Sequence, residues 1–285
     1  MKIKNNTTFT VLACLGLGQL VSHGALVAHY KLDEDSGTTA ADELGNSDGA
    51  INGTVTRVAG VDGGAFQFDG NVTNNVHVAN APFLAGSGPG AGLGGDFTIS
   101  AWISYTDVSS NVAATITLVD QDGPNDHYTD LSRIGNGAFG GGKDGEFYGR
   151  TRTGVGANLL QTDSPDAGIF NDGTFHHVAF VVDSTNEMLQ VYVDGNLDTS
   201  ASGAPILAEF SDLTNRHLDR PSGQSNVDAF TGLIDDVQVY DEALTSAQVD
   251  FLSNNAGQAI PEPTSSALAG LGLLALLRRK RRDAQ

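Results

Sequence analysis

Residues 174–197 read TFHHVAFVVDSTNEMLQVYVDGNL, two apolar runs of strand length on either side of a short polar segment. In the first run Val178, Phe180 and Val182 alternate with Ala179 and Val181, so both faces are apolar, as on a strand at the centre of a sheet. In the second, Leu189, Val191 and Val193 share one face, with Gln190 and Tyr192 opposite. The polar residues 183–187 are turn chemistry, and Asp194-Gly195 tolerates the positive φ of a tight reversal. This pattern predicts a buried β-hairpin with a third strand after Gly195.

The same reading extends outward to strand candidates at 25–32, 65–69, 76–78, 97–104, 114–119, 145–152 and 233–240, separated by Gly, Asn and Asp. Helical periodicity is confined to 241–252, where Thr245 and Gln248 have capping-box spacing. Many short strands and one short helix predict an all-β chain, a two-sheet antiparallel β-sandwich over residues 25–259. The stretch AGSGPGAGLGG at 85–95 reads as a surface loop. It lacks the strand-then-helix context of a phosphate cradle.

Both ends carry targeting signals. Residues 1–24 place Lys2 and Lys4 before an apolar run and end in Ser22-His23-Gly24, a secretory signal peptide with cleavage expected before Ala25. The single cysteine, Cys14, lies inside it, so the exported domain has no disulfide or thiol chemistry. At the other end, residues 260–285 run from Pro261-Glu262-Pro263 through the apolar 267–277 to Arg278, Arg279, Lys280, Arg281 and Arg282. Eleven apolar residues are short for a stable span, and the basic cluster favours the cytoplasmic side, which fits a transient membrane handle. In that order the three parts resemble the PEP-CTERM sorting tail. The resemblance implies processing by an exosortase and export through the inner membrane to the cell surface or extracellular matrix.

Of 15 basic and 34 acidic residues, the segment 25–259 keeps 8 and 32, a charge of about −24 that argues against nucleic acid as a partner. Within it, the blocks Val27-Ala28-His29-Tyr30-Lys31-Leu32-Asp33, Gly64-Ala65-Phe66-Gln67-Phe68-Asp69-Gly70, Phe97-Thr98-Ile99-Ser100-Ala101-Trp102, Phe175-His176-His177-Val178, Val191-Tyr192-Val193-Asp194-Gly195 and Leu233-Ile234-Asp235-Asp236-Val237 occur in that order. They resemble the LamG-like, concanavalin A-like jelly rolls of secreted bacterial proteins. The resemblance implies a sandwich that hosts lectins, glycanases and adhesion modules alike.

Laminarinase-like members of that fold carry Glu-x-Asp-x-x-Glu or Glu-x-Asp-x-Glu on one strand. Glu34, Glu43, Glu146, Glu187, Glu209 and Glu242 show neither spacing. His176 and His177, adjacent on a strand, point to opposite faces and cannot clasp one ion together, so one ring is expected to be buried and hydrogen-bonded. A non-catalytic binding module for polysaccharide is therefore expected, with a coat component or an unrecognised hydrolase or lyase as alternatives.

On the last strand Asp235 alternates in phase with Leu233, Val237 and Val239, where a lone carboxylate is costly and needs a cation, backbone N–H groups or a hydroxyl. The resemblance implies a structural Ca²⁺ held by Asp33, Asp69 or the Gly70 carbonyl, and Asp235. Residues 120–126 hint at a second cation loop. Trp102 is out of phase with Phe97, Ile99, Ala101 and Ile103, so it faces away from the core, where it either stacks on a sugar ring or is covered by a neighbouring segment.

Overall fold

The computed structural model describes residues 25–84, 95–107, 112–119, 128–135, 144–153, 158–162, 170–203, 212–215 and 228–261. The expected leader 1–24, the glycine-rich stretch 85–94, residues 120–126 and the sequence from Glu262 onward lie outside them.

Seventeen strands are described. They are β1 (Leu26–Tyr30), β2 (Thr39–Ala40), β3 (Gly49–Asn52), β4 (Thr56–Ala59), β5 (Gly64–Asp69), β6 (Asn75–Val78), β7 (Phe97–Ser104), β8 (Val112–Val119) and β9 (Tyr128–Ile134), then β10 (Phe147–Thr153), β11 (Asn158–Gln161), β12 (His176–Asp183), β13 (Met188–Val193), β14 (Asn196–Ser202), β15 (Asp212–Thr214), β16 (Asp228–Ala229) and β17 (Thr231–Tyr240). One sheet runs β14-β13-β12-β7-β17-β5-β4, with β1 also on β17. The other runs β11-β10-β9-β8-β15-β6-β3-β2, with β16 parallel to β8. The two sheets form the expected sandwich. The hairpin is β12–β13 in register Val178↔Val193 to Asp183↔Met188, and β14 is the third strand.

Alternation delivers one apolar face of each sheet to the core. Phe66, Phe97, Ile99, Ala101, Ile103, Val178, Phe180, Leu189 and Val239 come from the first sheet, and Ile116, Leu118, Leu131, Phe147 and Leu213 from the second. The sheets approach closely where Gly149 faces Phe180. A methyl group added there would lie 2.2 Å from the ring, so the glycine makes room for the aromatic side chain.

On the outer face of the first sheet, Ala179, Val181, Tyr192 and Tyr240 pack under Leu244, Val249 and Leu252 of the only described α-helix, α1 (Ser246–Asn254), and the segment before it. Its N-cap is Thr245, and both halves of the capping box with Gln248 are present. Thr245→Ala is expected to cost about 1 kcal/mol, read as a fall of roughly 2–4 °C in melting temperature. No change would mean that packing alone holds the helix.

Candidate functional site

β8, β9, β10, β15 and β6 turn alternate residues away from the core, and register aligns them. Arg150 pairs with Asp130, Asp130 with Thr117, Thr117 with Thr214 and Thr214 with His77, a polar row across five strands. All but His77 are buried. The Asp130 carboxylate is bidentate on Arg150, at 2.7 Å to Nε and 3.0 Å to Nη2, and also accepts the Ser132 hydroxyl at 2.7 Å. The Arg150 guanidinium lies 5.3 Å from the Tyr148 ring centroid, a cation–π contact. Next to the row, Asp212 has one oxygen 2.7 Å from His77 Nε2 and the other accepting the Asn80 N–H at 2.9 Å. At its centre the buried Thr117 hydroxyl has no hydrogen-bond partner among the described residues.

Sequence reading missed this constellation. β9, YTDLSRI, has polar residues in both phases and no period-2 apolar pattern, so the sequence alone does not set Asp130 opposite Arg150. The alternation of Tyr148 and Arg150 in the expected strand was the signal available.

The outer face of the first sheet carries Trp102, paired on one side with His177 and on the other with Asp235. Trp102 faces away from the core as expected and is half-buried, with its ring edge-on to His177 at 5.4 Å. Tyr105 does not cover it, being a core residue against Phe147 and Phe230. The two histidines do point to opposite faces, but burial and hydrogen bonding fall on different rings. His177 is buried with Nδ1 unpartnered among the described residues, and burial pushes it down to about 4. His176 has Nδ1 2.8 Å from Asp194, a contact that raises its pKa despite partial burial.

Asp235 departs from its expected phase. Asp236 takes a left-handed conformation, φ 49°, in a bulge between Asp235 and Gln238. The bulge resets the alternation, so Asp235 shares the outer face with Trp102 while Val237 and Val239 stay in the core. It also sits where one edge of β17 changes partner, from β5 at 231–234 to β1 at 237–240. The β4–β5 turn fills the gap, donating the Val61 N–H to Asp235 Oδ2 at 2.7 Å and the Asp62 N–H at 3.4 Å. Oδ1 has no partner among the described residues, and burial pushes the fully buried acid up to about 7. Burial works against the neighbouring Asp236 too, but bonds from His29, Gln238 and the Gly257 N–H hold it below the usual carboxylate range.

Of the other implied ligands, Asp33 grips the same turn, accepting the Gly64 N–H at 2.5 Å. Asp69 and Gly70 stand at the far end of β5, about 17 Å away at strand rise. There Asp69 accepts the Asn71 N–H and the Asn74 amide. The fold therefore brings Asp33 and Asp235 to one turn and leaves Asp69 and Gly70 apart. Among the described residues no three His, Cys, Asp or Glu side chains gather in a metal-binding group.

Two sequence families match. The concanavalin A-like lectin/glucanases superfamily covers residues 86–250, and the PEP-CTERM protein-sorting motif covers 259–282, which indicates export to the cell envelope or surface. No curated protein matches by sequence. Among solved structures, domain 4 of AbnA, an extracellular arabinanase from Geobacillus stearothermophilus in complex with arabinotriose, is 20% identical with TM-score 0.58, over 81% of this chain and 99% of that one. A structure of botulinum neurotoxin type C, a toxin whose cell entry depends on interaction with two ganglioside molecules, is 14% identical with TM-score 0.56, over 81% and 51%. Trypanosoma rangeli sialidase is 19% identical with TM-score 0.54, over 80% and 32%. At these identities the likeness is one of fold.

Proposed function

We propose, from the premise that the chain belongs to the concanavalin A-like lectin/glucanases superfamily, that it is an exported glycan-binding module without catalytic activity. The observation that carries this reading is Trp102, half-buried on the outer face of the first sheet where an aromatic ring can meet a sugar. An aromatic ring on a sheet surface stacks on the apolar face of a sugar. The absence of catalysis is supported by what Asp130 and Asp212 already do. Both oxygens of each hold protein partners, whereas a glycosidase needs one carboxyl group to carry a proton and another to attack or activate water. Solved neighbours in complex with arabinotriose, or dependent on gangliosides for cell entry, support a sugar as ligand.

The test is a glycan array probed with residues 25–261, alongside a reducing-end release assay on the same glycans. Binding without release is the expected result, and Trp102→Leu should weaken it at least threefold with the fold retained. Sugar release, or an array with no positive glycan, would overturn the reading.

Of the implied calcium ligands, Asp33 and Asp235 remain candidates, and Asp235 Oδ1 is a buried oxygen without a partner among the described residues. Hard oxygen donors suit Ca²⁺, which would supply the charge that the buried carboxylate lacks.

A further inference from the structure

One register row crosses the outer face of the first sheet beside its apolar cover. His177 of β12 lies opposite Trp102 of β7, and Trp102 lies opposite Asp235 of β17. The apolar cluster under α1 takes in Ala179 on β12 and Tyr240 on β17 but none of these three residues. Each of the three holds a buried polar atom without a hydrogen-bond partner among the described residues: His177 Nδ1, Trp102 Nε1 and Asp235 Oδ1. His177 is 2% exposed and Asp235 0%, whereas the Trp102 side chain between them is partly open to solvent.

Buried polar atoms kept without partners cost stability, and a row of them calls for a ligand. These are mixed in kind. The indole N–H only donates, an imidazole nitrogen donates or accepts according to its tautomer, and a carboxyl oxygen accepts or, protonated, donates. That set matches hydroxyl groups, which do both. Neighbouring strands are about 4.8 Å apart, so His177 and Asp235 stand about 10 Å from each other, the length of about two sugar rings. The rim of the row is acidic. Asp194 accepts the His177 N–H at 3.0 Å, the Asp62 N–H donates to Asp235 at 3.4 Å, and Asp236 follows in the chain. No lysine or arginine stands among these residues, so a uronate or sulfate group would meet only negative charge.

We infer that this row reads an uncharged glycan about two rings long or longer, laid across β12, β7 and β17, with Trp102 stacked on it and His177 Nδ1 and Asp235 Oδ1 each taking a hydroxyl. The inference rests on reading Trp102 as the sugar platform. Both flanking atoms are covered before the ligand arrives, so the indole shifts as the glycan seats and its own N–H gains an acceptor.

The test scores neutral and acidic members of a glycan array separately. It then titrates the mono-, di- and trisaccharide of the strongest neutral binder against the fluorescence of Trp102, the only tryptophan of the chain. Neutral glycans are expected to bind about tenfold more tightly than acidic ones, and the disaccharide about tenfold more tightly than the monosaccharide, the worth of one further hydrogen bond. The emission should shift on binding. His177→Phe keeps an aromatic ring against the indole and should weaken the disaccharide by roughly threefold or more, with the monosaccharide changed less. Asp235→Asn keeps an acceptor oxygen and should bind within about twofold of the wild type.

Acidic glycans bound as tightly as neutral ones, a monosaccharide bound as tightly as the disaccharide, or His177→Phe binding like the wild type would each overturn the inference and leave Trp102 as a platform. Loss of binding in Asp235→Asn with its melt retained would assign Oδ1 to a cation and overturn it too. An array with no positive glycan would overturn both readings.

Discussion

Between pH 6.5 and pH 8 the wild-type domain is expected to lose stability, and Asp235→Asn should abolish most of that loss. The folded state raises the Asp235 pKa from 3.8 to about 7, so the native protein binds the extra proton. Stability from this group is full below 3.8 and is lost as pH climbs to and through 7, roughly 4 kcal/mol in all, of which only the last ~1 kcal/mol falls between pH 6.5 and pH 8. His177 runs the other way. Its native pKa is depressed from 6.5 to about 4, so the unfolded state takes up the proton first, and its contribution is full above 6.5 and lost as pH falls toward 4. Over their shared window the two slopes oppose each other.

Asp235→Asn, which keeps an acceptor oxygen for the Val61 N–H, should therefore unmask a stability that rises by roughly 3 kcal/mol from pH 4 to pH 6.5. His176, raised by Asp194, adds to the wild-type loss above 6.5. Urea melts across the range measure all three effects. Calcium enters the same experiment because a cation and a proton compete for Asp235. At pH 8, Ca²⁺ at a hundredfold excess over Kd should add about 2.7 kcal/mol to the wild type and nothing to Asp235→Asn. A wild-type melt indifferent to Ca²⁺ and chelator at pH 8 would make Asp235 a backbone cap alone.

Arg150→Met should destabilise the domain by about 3–5 kcal/mol, because it takes the bidentate partner from the fully buried Asp130 carboxylate. The fall in melting temperature would be on the order of 10 °C. The pair itself is not the source of that figure. Replacing both residues, Arg150→Met with Asp130→Leu, should recover most of the loss, since the desolvation of two charges largely offsets their attraction. If the single variant melts with the wild type, Asp130 is solvated, and the outer face of the second sheet is an open surface rather than a pre-organised one.

What the sequence determined by itself is what depends on local pattern. Two-sided apolarity at 178–182 made β12 a central strand, Thr245 and Gln248 set the start of the helix, and the alternation of Trp102 against Ile99, Ala101 and Ile103 placed it outside the core. The tail was legible because a proline stop, an apolar run and a basic cluster act through composition.

What only the tertiary structure decided depends on register and on one residue's backbone. Asp130 and Arg150 are twenty residues apart and meet because β9 and β10 pair as they do, a choice that no period-2 count contains. Asp235 left the core face because Asp236 sits at positive φ. A bulge inserts one residue, and in a structure of period two one residue exchanges the faces. The same break in pairing let the β4–β5 turn reach β17 and gathered Asp33 with Asp235 while leaving Asp69 a strand's length away.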